Sequence, residues 1–139
     1  MDAIYENVFL AKLFPNGIEK SIFIGQVEFS SHPHMRICIH TKQKPADEVS
    51  KWGVWGENYD IIVIELYTWC KVAKIENWQE NEYFGELEIE ILRNSSFNAD
   101  DGLFLLSYKS GNVHLELECG KFRFERCSTY IWGPDEYTI

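Results

Sequence analysis

Long hydrophobic runs, paired cysteines and an excess of positive charge are all missing from this chain of 139 residues, and each absence removes a class of protein. Nothing approaches the roughly 20 consecutive apolar residues that a membrane-spanning helix needs, so no membrane association is expected. The opening residues Met1-Asp2-Ala3-Ile4-Tyr5-Glu6-Asn7 hold two acids and no basic segment, and Lys12 breaks the apolar run that follows. No secretory leader is read there, and a cytoplasmic location is expected. Cys38, Cys70, Cys119 and Cys127 stand far apart with no CxxC pair, which predicts reduced thiols, no metal centre and no cofactor. GxSxG, P-loop, GxGxxG, HExxH and EF-hand patterns are also missing, so nothing points to an enzyme.

What is present is charge of one sign, unevenly placed. Residues 1–75 carry 8 basic and 9 acidic side chains, whereas residues 76–139 carry 5 and 13, so nearly all of the net charge of −9 belongs to the second half. An acidic surface repels phosphate backbones, attracts basic partners and speeds their encounter, which argues against nucleic-acid binding.

Aromatic residues reach 15%, a bias toward strands. A single domain over residues 1–139 is expected, mainly β (α+β): an antiparallel meander forming a curved sheet, sandwich or partly open barrel, with one short N-terminal helix. Residues 3–14 have helical spacing and end at Pro15-Asn16-Gly17. Strands are predicted near 20–31, 35–42, 59–67, 69–78, 83–92, 103–108 and 113–119, with a last one through Phe122 and Phe124 toward Cys127. Ser31-His32-Pro33-His34 and the segment from Asn94 to Gly102 read as loops. The unbroken apolar run Ile61-Ile62-Val63-Ile64 predicts a central strand covered on both faces.

Two segments alternate strictly. Glu86, Glu88 and Glu90 share one face of a strand while Leu87, Ile89 and Ile91 share the other, and Glu116 and Glu118 alternate with Leu115 and Leu117 in the same way. A solvated sheet face would explain either strand alone. Like charges facing each other across strands are destabilising, so the group together reads as a docking surface for a basic partner. Near it, Trp78 stands among Glu76, Glu80, Glu82 and Tyr83, a mixture suited to meeting Arg and Lys. A glycosidase acid and base would need unequal environments, which a regular exposed ladder does not offer. His32 and His34 have metal-compatible spacing but no third ligand nearby, and His40 and His114 read as surface or core-edge histidines. Trp52, Trp55, Trp69 and Trp132 read as core or rim aromatics.

The order of these features carries a resemblance. After the helix and two strands come a Trp-Gly segment, the strand Tyr59-Asp60-Ile61-Ile62-Val63-Ile64-Glu65-Leu66, and Ile75-Glu76-Asn77-Trp78. Phe84-Gly85-Glu86-Leu87-Glu88-Ile89-Glu90-Ile91 and Phe122-Arg123-Phe124-Glu125-Arg126-Cys127 follow. Over roughly residues 5–130 the chain resembles the small immunity proteins of bacterial polymorphic toxin systems, most closely the group called immunity protein 50. The resemblance implies a non-enzymatic protein that binds and neutralises a cognate toxin domain, with no catalytic residues. If that toxin is a nuclease with a basic groove, an acidic inhibitor would dock over the groove in place of the phosphate backbone. The alternative is a β-barrel holding a small apolar or carbohydrate ligand, with Trp52, Trp55 or Trp69 lining its mouth.

Overall fold

The computed structural model describes residues 3–31, 34–93 and 102–133. His32, Pro33 and nearly all of the loop expected from Asn94 to Gly102 lie outside the described residues. One helix, α1 (Val8–Leu13), precedes seven strands: β1 (Ser21–Phe29), β2 (His34–Thr41), β3 (Ile61–Glu76), β4 (Gly85–Arg93), β5 (Leu103–Ser110), β6 (Val113–Cys119) and β7 (Arg123–Tyr130). The helix is shorter than the spacing over residues 3–14 predicts, because residues 3–5 are held by the strand system instead. Phe122 N–H donates to the Ala3 carbonyl at 2.7 Å and Tyr5 N–H to the Phe122 carbonyl at 2.9 Å. Asn7 then starts the helix, its Oδ1 accepting from Leu10 N–H at 3.1 Å.

The two strands expected at 59–67 and 69–78 are one strand, β3, of 16 residues. No glycine or proline interrupts it. What changes along it is the neighbour and the burial, not the backbone conformation. Its first half pairs with β2 on one edge, from His34↔Trp69 to Thr41↔Ile62, and with β7 on the other, from Tyr67↔Arg123 to Ile61↔Tyr130. Its second half pairs with β6, from Cys70↔Cys119 to Glu76↔His114. Ile61 and Ile62, on opposite faces, are both fully buried, as expected for a strand covered on both sides. Nor is the chain a simple meander. β3 and β4 are not neighbours; the link Asn77–Phe84 steps over the β5–β6 turn, tied by Asn77 Nδ2 to the Asn112 carbonyl and by Ser110 Oγ to the Tyr83 carbonyl.

The order β2-β1-β4-β5-β6-β3 is closed by the β2–β3 pairing into an antiparallel barrel of six strands, with β7 as an extra strand on β3. Its interior is filled by aliphatic side chains, among them Ile22, Ile24, Ile37, Ile39, Ile62, Ile64, Leu106, Leu115 and Leu117, none more than 1% exposed. α1 adds Leu10 and Leu13, and Phe14 just after it joins the same core. At 25 cal/mol per Å² of apolar area removed from water, interior burial of this kind dominates folding.

The closing seam between β1 and β4 is sparse. It consists of Ser21↔Glu86 and Ile22↔Gly85, extended by Leu87 N–H to the Lys20 carbonyl at 2.8 Å. Beside it the Asn81 side chain donates to the Ile24 carbonyl at 2.7 Å and accepts from the buried Tyr108 hydroxyl at 3.0 Å, so a side chain does what a strand pairing does elsewhere. Gly85 has no room for a side chain: a Cβ would stand 2.2 Å from the Lys109 carbonyl oxygen and 2.8 Å from Ser110 Cβ. Because the first obstacle is main chain, Gly85→Ala is expected to cost about 2 kcal/mol. By thermal denaturation that is a fall of roughly 4–8 °C in Tm; an unchanged Tm would contradict the closure described.

Candidate protein-interaction surface

The pairing registers settle where the glutamates stand relative to one another. Across β4, β5, β6 and β3 the residues line up in three rows: Glu86–Lys109–His114–Glu76, Glu88–Ser107–Glu116–Lys74 and Glu90–Leu105–Glu118–Val72. Directly opposed residues share a face, and the interleaved Leu87, Leu106, Leu115 and Leu117 are buried. All three rows therefore lie on the barrel's outer surface. Glu86, Glu88 and Glu116 meet Ser107, Lys109 and His114 around a surface hollow of about 320 Å³.

Six glutamates thus share one face with Lys74, Lys109 and, from the β1 lead-in, Lys20, whose Nζ lies 3.9 Å from Glu88 Oε1. Glu86, Glu88 and Glu90 are exposed; Glu116 and Glu118 are half-buried. Glu88 and Glu116 flank Ser107 from the two neighbouring strands, roughly 10 Å apart by strand spacing. An incoming guanidinium or ammonium placed between them would meet both.

The remaining predicted contact residues lie at the end of this face. Glu76 closes β3; Glu80, Glu82 and Tyr83 are exposed on the link that crosses the barrel rim. Trp78 stands beside them with its ring half-buried and packed against the core. Asn77, in the left-handed region at φ 56°, turns the chain so that this ring points inward.

The outer face of β2, β3 and β7 shows what a balanced surface of the same protein looks like. Arg36 makes a two-pronged ion pair with Glu125 (2.6 and 3.0 Å) and lies 3.7 Å from Glu28, and Arg126 Nε meets Glu65 at 2.5 Å. Glu28, Arg36 and Glu125, with Tyr67, Phe124 and His34, border a cleft of about 520 Å³. Sequence reading missed this face, because its partners are up to 89 positions apart and no local pattern joins Arg36 to Glu125. The contrast is between a face whose acids are matched by arginines and one where they outnumber the bases.

A third cluster gathers aromatics. His40 lies edge-on to Phe23 and Tyr130, and Trp132 contacts Phe23, Phe84 and Tyr130. Asp60 holds the chain after β7 over the sheet by accepting from Trp132 and Gly133 N–H at 2.7 and 3.0 Å. Burial lowers the His40 pKa to about 4. Tyr130, pushed up to about 12 by burial and by Asp60, keeps its proton, and its hydroxyl is hydrogen-bonded to His40 Nδ1 at 2.7 Å.

Of the other tryptophans, Trp69 borders a small hollow of about 140 Å³ with Tyr67, Thr68, Lys121 and Arg123. Trp52 and Trp55 pack edge-on to Tyr59 at 5.8 and 5.3 Å. Tyr59 is itself fully buried, its hydroxyl without a hydrogen-bond partner among the described residues. Trp69 lies against Gly120. With the interior occupied by aliphatic side chains, the barrel has the packed centre that counts against a ligand carrier. Among the described residues no three of His, Cys, Asp and Glu converge on a metal position, and no helix is long and apolar enough to cross a membrane. Cys70 and Cys119 are cross-strand neighbours and all four cysteines are free thiols. Compared with protein-family models, with curated proteins and with solved structures, the chain matches none.

Proposed function

We propose that this chain is an immunity-type inhibitor: it binds a basic toxin domain in the cytoplasm and neutralises it by covering its working surface. The observation that carries the reading is the alignment of Glu76, Glu86, Glu88, Glu90, Glu116 and Glu118 on one outer face. A face with an excess of one charge attracts a partner of opposite charge. The resemblance to immunity proteins supplies the kind of partner. The role asks for no catalytic group on this chain, only a rigid surface, and a barrel with a packed interior provides one. The toxin is expected to present arginines and lysines, as a nuclease groove does, so that complementary potentials speed encounter.

The test is co-expression with the toxin domain encoded beside this chain. Growth rescue, a co-purifying complex and an affinity that falls as salt rises are expected. Neither rescue nor a complex would overturn the reading.

A further inference from the structure

The seam that closes the barrel leaves part of one strand edge open. Among the described residues, β4 bonds to β1 and its lead-in only as far as Leu87. Beyond it, Glu88 to Ile91 pair on one side alone, with β5, and Leu92 falls in a register shift. Since Leu87 N–H points to Lys20, the two-residue period of a strand turns the main-chain groups of Ile89 and Ile91 toward the same open edge. Beside that edge runs an apolar groove of about 280 Å³ lined by Ala3, Ile18, Leu87, Ile89, Ile91 and Phe104, with Glu19 and Lys20 at its border. Ile91 and Leu92 are 47% and 43% exposed. Unpaired N–H and C=O groups next to an apolar groove form a template for strand addition.

We propose that this edge takes up an extended segment of the partner as an added strand, with apolar side chains alternating inward and basic ones outward. The inference rests on the inhibitor reading and specifies how the partner is held. Inward side chains would enter the groove against Ile18, Ile89 and Phe104. Outward ones would stand beside Glu88 and Glu90, the exposed alternate residues of β4. The same geometry disfavours a second copy as the occupant, because pairing two β4 edges would set glutamates against glutamates. It also disfavours an acidic strand. Main-chain bonds would supply affinity, and the alternation of apolar and basic residues would supply selectivity.

The probe is a synthetic peptide of alternating lysine and valine, compared with an alternating glutamate and valine peptide and with a lysine–valine peptide carrying a central proline. Binding of the lysine peptide alone is expected. Amide exchange at Ile89 and Ile91 should slow by at least about tenfold, while Glu88 and Glu90, already facing β5, change little. Ile91→Pro removes a donor that points away from β5, so the barrel should keep its near-UV signal while the peptide binds about tenfold more weakly. Binding without protection of Ile89 and Ile91, equal binding of the acidic peptide, no binding, or pairing of two copies through β4 would each overturn the proposal. The same exchange measurement on the complex with the toxin separates the two readings: a neutralised toxin with both amides unprotected would remove strand addition and leave the inhibitor role standing.

Discussion

Replacing Glu86, Glu88 and Glu90 together by lysine is expected to weaken the toxin complex by at least about 100-fold while leaving the barrel folded. The substitutions change the face from six acids and three bases to three and six. Opposed like charges at an interface cost several kcal/mol, and each 1.4 kcal/mol is tenfold in affinity. The loss should fall mainly on the association rate, because these side chains are exposed and act before contact. The unmodified protein should lose association rate as salt rises; the variant should lose little or gain. Stability should change little, since the ion pair Lys20–Glu88 joins two exposed groups at 3.9 Å. Stopped-flow association at low and high salt decides the matter, and an unchanged rate would move the docking surface elsewhere.

Acidification should destabilise the protein through His40. Its folded pKa, about 4, lies below the ordinary 6.5, so between those values the unfolded chain binds a proton that the folded one refuses. Stability from this group is therefore complete above pH 6.5 and is lost as pH falls toward 4, by an amount of about 3 kcal/mol at most. The groups facing the ring explain why the proton is refused. Phe23 and Tyr130 enclose it and keep water away, Nδ1 is taken up by the Tyr130 hydroxyl, and Nε2 is turned to Gly25, where a Cβ would come within 2.4 Å. Nearby Asp60 accepts from Trp132 and Gly133 N–H. His40→Gln keeps an acceptor for Tyr130 and removes the titration. Denaturant unfolding at a series of pH values should show the gap between the two proteins shrinking from pH 6.5 to 4, and a constant gap would refute this assignment.

Where the sequence was informative, a local signal was strong. β6 occupies the predicted residues 113–119, because strict alternation is bounded by Gly111 on one side and Gly120 on the other. The outward placement of Glu86, Glu88 and Glu90 on β4 was legible for the same reason, and the mainly β class with a short N-terminal helix follows from many aromatic and β-branched runs. What was not legible depends on distant partners. β3 was read as two strands because its hydrophobicity falls after Trp69, where the strand exchanges β2 and β7 for β6. The shortened helix follows from Phe122, far along the chain, which claims residues 3–5. How deeply Trp78 sits was not legible among its acidic neighbours, because the left-handed Asn77 turns the ring toward the core. Only the register shows that Glu116 and Glu118 join the β4 ladder across β5.

The sparse seam between β1 and β4 also shapes how the molecule folds. Ile22 and Gly85 are 63 positions apart, yet among the described residues the strand pairing that joins β1 to β4 amounts to two residue pairs and one further backbone bond. The entropic cost of closing so long a loop is met only after the β1–β2, β4–β5 and β5–β6 hairpins exist. Ring closure is then expected late in folding and first to reverse, so amide exchange should be fastest along the line where, among the described residues, β4 has an open edge.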